Sequence, residues 1–334
     1  MQNTFLYKLF RFEFWPWYAM YLPLMPIYFA GVIYTRKLLY FTAVNPAIDM
    51  GGFFGEHKDE IQAILPQKYL VKSIVIRNGI LKSVESDMQK IGFGYPIIAK
   101  PIVGERGDGV KKVNNVKQLE EYAKDEPNFI IQKYINFKVE LAVLFYRYPN
   151  SRQVFVSSLA EKRYLSVVGD GTSSVADLIQ KNSRKRLYLP LIINEFPEKL
   201  SVVPNLNQEF VLHTIGNHVK GTQFINVNNR INKNIVSAVK DIVESIEGVE
   251  YGRFDLKVPS YLDFEQGKNI KIFELNGVSS EPTHIYGLPN VVLAYRDLAK
   301  HWIILINIAK QNIKKGVKTT PFLYFFTQVK NHFM

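Results

Sequence analysis

Gly252-Arg253-Phe254-Asp255-Leu256-Lys257-Val258, a turn, and then Ile272-Phe273-Glu274-Leu275-Asn276 is the stretch that decides how this chain folds. It reads as one hairpin. Side chains alternate faces along a strand, so Glu274 and Asn276 point the same way. Asp255 on the partner strand can face them, and Arg253, two residues away, shares the Asp255 face. Two carboxylates and an amide oxygen, with no Cys or His among them, suit Mg²⁺ rather than zinc. A fixed cation beside them suits the charge of a nucleoside triphosphate. A surface hairpin with ordinary polar residues is the plain alternative, and the rest of the chain decides against it.

Residues 95–110 read Tyr-Pro-Ile-Ile-Ala-Lys-Pro-Ile-Val-Gly-Glu-Arg-Gly-Asp-Gly-Val. An apolar strand ends on Lys100, a loop with Gly104, Gly107 and Gly109 follows, and a new strand begins. Glycines let a backbone approach phosphate oxygens, and Lys100 supplies a point charge. The spacing is not GxxxxGK[ST], so this is no P-loop. Alone it is a common kind of turn. Further on, Phe129-Ile130-Ile131 is a buried-strand run, Gln132-Lys133-Tyr134-Ile135 follows, and Val139-Glu140-Leu141-Ala142-Val143-Leu144-Phe145 begins the next strand. Strand, short connector, acid, strand is the layout of a nucleotide hinge, where connector backbone can read adenine and the acid can hold ribose hydroxyls. Glu161-Lys162-Arg163 closes a later strand with a basic pair, placed for phosphates or simply solvated.

Together these pieces resemble the ATP-grasp superfamily, and within it the carboxylate–amine ligases such as D-alanine–D-alanine ligase and cyanophycin synthetase. The resemblance covers residues 70–310. It implies an α+β ATP-grasp fold, two α+β lobes gripping ATP between antiparallel sheets, with a small lobe at about 93–135 and a large one at about 136–310. A helical, aromatic-rich region (1–69) precedes them and a basic tail (311–334) follows. By the resemblance Asp255, Glu274 and Asn276 hold Mg²⁺, two ions, with Mn²⁺ as a substitute, and Arg253 steadies the tetrahedral intermediate. Lys100 is the phosphate lysine before the flexible loop that carries Glu105, Gly107 and Gly109. Lys133, with the backbone at Tyr134 and Ile135, falls on the adenine hinge, and Gln132 stands where the usual hinge acid would. Glu140 falls on the ribose acid, and Lys162 on the second phosphate lysine, with Arg163 as its alternative. Val168–Ser174, running into Val175–Ile179, is similar to a GDG-Ser/Thr segment of cyanophycin-synthetase-like members.

After Asn276 the chain reads Gly-Val-Ser-Ser-Glu-Pro-Thr-His, not the Thr-Ser-Pro-Gly type run of D-alanine ligases. That places it in a different branch, similar to bacterial ATP-grasp proteins with an Asn-Gly…Ser-Glu…Thr-His-Ile-Tyr segment. Ser280, Glu281 and His284 fall where the acceptor sits in related ligases. The implied reaction joins a small-molecule carboxylate to an amine at the expense of ATP, through an acyl phosphate. A kinase-like phosphotransferase and a membrane-docked ATP-binding protein with little turnover are the alternatives.

The chain of 334 residues is 47% hydrophobic and 22% charged, which is globular rather than disordered. With no Cys it has no disulfides, thiolate metal sites or Cys nucleophiles, which fits a reducing cytoplasm. A net charge of +12 suits an anionic partner. The cations gather at the ends: Met1–Tyr40 has one acid, Glu13, against Lys8, Arg11, Arg36 and Lys37, and the tail after Asn307 has Lys310, Lys314, Lys315, Lys318 and Lys330 with no acid. No RNA-type aromatic motif is present, so an anionic membrane surface outranks nucleic acid, and the expected location is cytoplasmic or peripheral at the inner face of the membrane.

Phe14–Ile33 is uncharged and long enough to span a bilayer, but Pro16, Pro23 and Pro26 break a single helix, and Trp15, Trp17, Tyr18 and Tyr21 are interface residues. No small-residue cleavage site follows, so it is no signal peptide. Three readings stand: buried against the catalytic domain, lying in a membrane interface, or spanning. Tyr34–Phe41 continues as a helix. Asp49–Glu56 is a second glycine-rich turn, facing the substrate or simply preceding a helix at Lys58–Leu65. Lys82–Gly92, Val116–Lys124, Ile235–Glu247 and Val291–Ile313 read as helices, the last with Trp302, Leu305 and Ile308 on its buried face. Tyr188–Phe210, with Pro190, Pro197 and Pro204, predicts an irregular insert near the substrate. His213–Arg230, holding Asn217, His218, Gly221, Thr222 and Arg230, meets phosphate or forms a solvated loop. The six histidines show no metal-type spacing.

Overall fold

The computed structural model describes residues 4–9, 11–54, 57–104, 107–151 and 153–333. Its strands are β1 (Ser73–Ile76), β2 (Ile97–Pro101), β3 (Lys111–Val113), β4 (Phe129–Lys133), β5 (Val139–Arg147), β6 (Val154–Arg163), β7 (Ser166–Val168), β8 (Glu209–Val211), β9 (Gln223–Asn226), β10 (Tyr251–Val258) and β11 (Lys271–Asn276). They form two main antiparallel sheets, ordered β1-β4-β2-β3 and β11-β10-β5-β6-β9, and a small β7-β8 pair. The two-lobed α+β arrangement of antiparallel sheets expected from the motifs is the one found.

In the first sheet, Ile97, Ala99, Phe129 and Ile131 pack with Met88 and Leu119 of the helices Val84–Lys90 and Val116–Asp125. Alternation turns Ile98, Lys100 and Gln132 to the opposite face. In the second sheet, Leu141, Val143 and Phe145 of β5 and Phe254 and Leu256 of β10 bury against Ile235, Val239 and Ile242 of the helix Lys233–Val243. Phe145 and Phe254 stack with ring centroids 4.6 Å apart. Glu140, Ala142 and Leu144 therefore line the other face, which looks toward the first sheet at one end. At its other end Ala142 and Ala160 pack with Phe12, Met20, Leu24, Ile285, Ala294 and Leu298.

The prolines do break the aromatic segment, into Phe12–Phe14, Trp17–Tyr21, Leu22–Leu24 and Met25–Thr35. Pro16 caps one piece, and Pro26 stands in the first turn of the last, where its missing N–H is harmless. Among the described residues no helix is long and apolar enough to cross a membrane, so the spanning reading falls. The expected helix over 34–41 also falls. The Thr35 hydroxyl donates to the Gly31 carbonyl and accepts from Lys37 N–H, and Arg36 turns left-handed at φ 59°. A short 3-10 turn, Tyr40–Ala43, follows. The insert is less irregular than expected, because Leu189–Glu195 is helical with Pro190 in its first turn. The long C-terminal helix runs Val291–Lys314, with Leu305 and Ile308 buried and Trp302 half-buried.

That helix is bound to β6 through His301, whose ring meets the Asp297 carbonyl at 2.6 Å and the Ser157 hydroxyl at 3.0 Å. Nδ1 faces a carbonyl and so carries the proton, leaving Nε2 to accept. Burial holds the imidazole neutral, with its pKa lowered to about 4. The unfolded chain binds this proton near pH 6.5 and the native one only near pH 4. Stability contributed by this group is therefore complete above pH 6.5 and lost as pH falls toward 4. Urea denaturation is expected to show a fall of about 2 kcal/mol from this group between pH 7 and pH 5, and His301→Gln should flatten that slope. An unchanged slope in the variant would exclude His301 as its source.

Candidate functional site

The β10–β11 register sets Asp255 directly opposite Glu274 and Arg253 opposite Asn276. Leu256 then pairs with Ile272, which leaves Phe273 as a bulge residue outside the ladder. Its freed carbonyl accepts the Lys100 ammonium at 2.9 Å, binding β2 of the first sheet to the edge of the second. Burial lowers the Lys100 pKa to about 8, against the pull of Glu274 and with the push of Lys58.

Across the same face, Lys257 stands opposite Glu140, and Lys162 lies at 3.0 Å from Asp255 and 3.6 Å from Glu140. All three of Glu140, Lys162 and Asp255 are buried. Burial pushes the Asp255 carboxyl up, yet Lys162 and Arg253 together hold it below its ordinary value. Arg253 meets Asp255 at 3.3 Å, and although burial opposes its charge, Asp255, Glu281 and Glu274 keep it firmly protonated. Glu140 also accepts from Tyr164 at 2.6 Å and lies 3.5 Å from Lys257, which donates to the Ile135 carbonyl at 3.2 Å. Tyr164 and Lys257 were not anticipated; Lys257 was open to discovery, since it follows Asp255 by two and must share its face.

Of the hinge residues, Gln132 is buried with its amide nitrogen unpartnered, Lys133 points outward, and Tyr134 sits under Lys112 and Lys257. Arg163 is exposed on Glu161, so Lys162 is the member of the pair that enters the site. Glu105 lies outside the described residues. Gly107 and Gly109 both have positive φ, and a Cβ on Gly109 would meet Pro101 at 2.6 Å. Tyr122 holds the Gly109 carbonyl, and Lys58 that of Gly104. The glycine loop leans on Ile215, 3.1 Å from where a Gly107 Cβ would stand, and Gly216 lies so close over Glu140 that a Cβ there would be 2.0 Å from its Oε1. Two loops thus meet above the charged face. Asn217 is at that meeting point, though its side chain caps its own turn through Val219 N–H.

Arg230 is not gathered here. It stacks on Tyr261, which holds Glu161 on the opposite face of β6. Ser280 donates to the Gly277 carbonyl within its own turn. His284, expected at the acceptor, is buried with both nitrogens engaged, on Ser158 at 2.8 Å and Asp297 at 3.2 Å, so it braces the segment. Glu281 is the residue of that run that faces Arg253's surroundings: Tyr286 donates to it at 2.6 Å and Tyr21 of the N-terminal segment at 3.5 Å. The glycine-rich turn at 49–52 docks just beyond Asn276, its Gly51 and Gly52 carbonyls accepting from Val278 and Ser279.

Among the described residues no group of three or more His, Cys, Asp or Glu side chains gathers to hold a metal. The hairpin offers a different set, two carboxylates and the Asn276 amide. Glu274 has no ion pair among the described residues, and the Asn276 amide nitrogen is buried without a partner. This all-oxygen set fits a hard cation such as Mg²⁺.

No family model and no curated protein matches the chain. Among solved structures it is similar to a D-Ala:D-Ser ligase (VanG) from Enterococcus faecalis, at 13% identity and TM-score 0.43 over 75% of this chain and 61% of that one. It is also similar to a bifunctional glutathione synthetase from Pasteurella multocida, at 14% identity and TM-score 0.41 over 75% of this chain and 35% of that one. A third is a D-alanine–D-alanine ligase from Bacillus anthracis, at 14% identity and TM-score 0.40 over 78% of this chain and 67% of that one. The chain spans less than two thirds of the length of the first two. The third bears the name of a ligase that the motifs resemble; likenesses at these scores add no weight to the geometry of the site.

The buried Glu140–Lys162–Asp255 row makes a direct stability prediction. Lys162→Met removes the cation shared by two buried carboxylates and leaves Asp255 to Arg253 and Glu140 to Lys257 and Tyr164, and chemical denaturation is expected to show a loss of about 1–3 kcal/mol. Wild-type stability in that variant would mean the row is solvated rather than closed.

Proposed function

We propose that the chain is an ATP-dependent carboxylate–amine ligase, Mg²⁺-dependent, forming an amide or peptide bond through an acyl phosphate. The observation that carries the proposal is the row of opposite charges on one sheet face, Glu274 and Asn276, Arg253 and Asp255, Lys257 and Glu140, then Lys162, with Lys100 reaching it from the other sheet. Asp255, Glu274 and Asn276 would hold the Mg²⁺, which supplies Lewis-acid neutralisation of phosphate charge. Lys100 and Lys162 bring further cations to the phosphates. The buried Gln132 side chain, with its unpartnered amide, suits the adenine edge, and Glu140 suits the ribose hydroxyls.

The chemistry then runs in two steps. The substrate carboxylate attacks the γ-phosphorus and ADP leaves, giving the acyl phosphate. The amine attacks the acyl carbon, phosphate leaves, and the amine's proton is lost. Arg253 has only Asp255 as a hydrogen-bond partner among the described residues, so its other N–H groups are available to the oxyanion. Gly107–Gly109 and the 215–217 backbone would keep water from the acyl phosphate. Glu281, held by two tyrosines and paired with no cation among the described residues, is suited to the ammonium of the incoming amine. A charge placed for a second substrate favours ligation over phosphate transfer alone.

ADP release should require a carboxylate, amide formation should require an amine, and hydroxylamine should trap a hydroxamate. A stable phosphorylated product with every amine tried would favour the kinase reading. Asp255→Asn and Glu274→Gln should abolish turnover with circular dichroism unchanged, because an amide is a weaker ligand than a carboxylate. Lys100→Ala should weaken ATP binding by about 1.5–3 kcal/mol in calorimetry, the range of a hydrogen bond to a charged group. Glu281→Gln should raise KM for the amine and leave ATP affinity unchanged.

A further inference from the structure

A surface helix ordinarily turns polar residues outward. The helix Met25–Thr35 does not. Its inner side is fully used: Gly31 and Thr35 are buried, and a Cβ on Gly31 would lie 2.8 Å from Ile306 of the long C-terminal helix. Its outer side carries Pro26, Phe29, Ala30, Ile33 and Tyr34, all exposed, continuing from Leu22, Trp17 and Tyr18. Ile33 is 78% exposed, Trp17 64% and Phe29 55%. Pro26, Ala30 and Tyr34 also line an open groove of about 530 Å³ against Ile303 and Ile306.

Cations surround this apolar face. Arg36 and Lys37 are exposed at the end of the helix, Lys310 reaches the Tyr34 carbonyl at 2.6 Å, and Lys314 and Lys318 are exposed beyond it. No Asp or Glu occurs from Phe14 to Ile48 or after Asp297. The last helix, Phe322–Phe333, repeats the pattern, with Phe322, Leu323 and Phe326 exposed. It sits beside the same core, its Phe325 ring packing on Phe41 and Phe53 and Thr320 N–H bonding to Thr42. Tyr40, next to that contact, touches Tyr28 of the first helix. Chain ends that the sequence keeps far apart are thus neighbours.

We infer that this face docks on an anionic lipid bilayer, with Trp17, Leu22, Phe29 and Ile33 entering the headgroup–acyl boundary and the lysines and arginines meeting lipid phosphates. Trp and Tyr favour that zone, and juxtamembrane cations add to it. A second copy is the poorer occupant, because the two faces would present many cations to cations, and the acid beside them, Asp49, is already held by Tyr324.

The test is sedimentation of the full chain with vesicles of equal phosphatidylglycerol and phosphatidylcholine, and with phosphatidylcholine alone. Binding is expected to the anionic vesicles, weakened by salt, and reduced roughly tenfold or more by Arg36→Glu with Lys37→Glu. Phe29→Asp with Ile33→Asp should abolish it, and thermal melting checks that each variant is folded. Should the aspartate pair fail to fold, the charge-reversed pair alone decides. Equal binding to neutral vesicles, or no binding by a folded wild-type chain, overturns the inference, as does a salt-resistant dimer that leaves vesicles unbound.

Discussion

The Lys162 ammonium, lodged between Asp255 and Glu140, is the contact on which the rest depends. It joins three adjacent strands on a face where both carboxylates are buried. Removing such charges from water costs several kcal/mol each unless they are paired. The opposite face of the sheet is a continuous hydrophobic layer under the helix Lys233–Val243, so the sheet cannot rearrange to release the charges without exposing its core. The site is thus held in shape by packing behind it and by its own charges in front.

The second constraint is the join between the two sheets. A bulge at Phe273 takes one carbonyl out of the β10–β11 ladder, and Lys100 takes it up. The residue that tethers the two sheets is therefore the one the proposed function assigns to phosphate. Its lowered pKa reflects how completely it is shut from water in this arrangement. Gly107 against Ile215, and Gly216 over Glu140, close this part of the charged face with short glycine-containing backbone.

At the other end of that face, the N-terminal segment serves two environments. Phe12, Met20 and Leu24 fill the core over Ala142 and Ala160, and Tyr21 reaches Glu281 beside the site. The same short helices show aromatic and aliphatic side chains outward. Tyr21 of this segment thus contacts Glu281 while its neighbours Trp17, Tyr18 and Leu22 remain exposed.

Much of this was legible in the chain itself. Alternation alone put Arg253 with Asp255 and Glu274 with Asn276, and the observed register sets them opposite one another, because a strand's period of two leaves no other choice once a core face is defined. The prolines at 16, 23 and 26 likewise announced a broken helix, since each lacks an N–H and fixes φ. Local rules failed where a side chain competes with the backbone, as Thr35 does in ending its helix. They failed again for residues whose partners are remote in sequence. His284 and Arg230 looked available by composition, but Ser158, Asp297 and Tyr261 claim them. Sequence by itself determined the strands of the hairpin, the lysine segment and the hinge, with their charge types and shared faces, which follow from short-range geometry. It missed β9, which lies within the 213–230 segment read as a phosphate contact or a loop and is a strand only through its pairing with β6. Tertiary structure alone decided that Lys162 rather than Arg163 enters the site, that Lys100 bridges two sheets, and that both chain ends share one surface, because those outcomes depend on long-range packing.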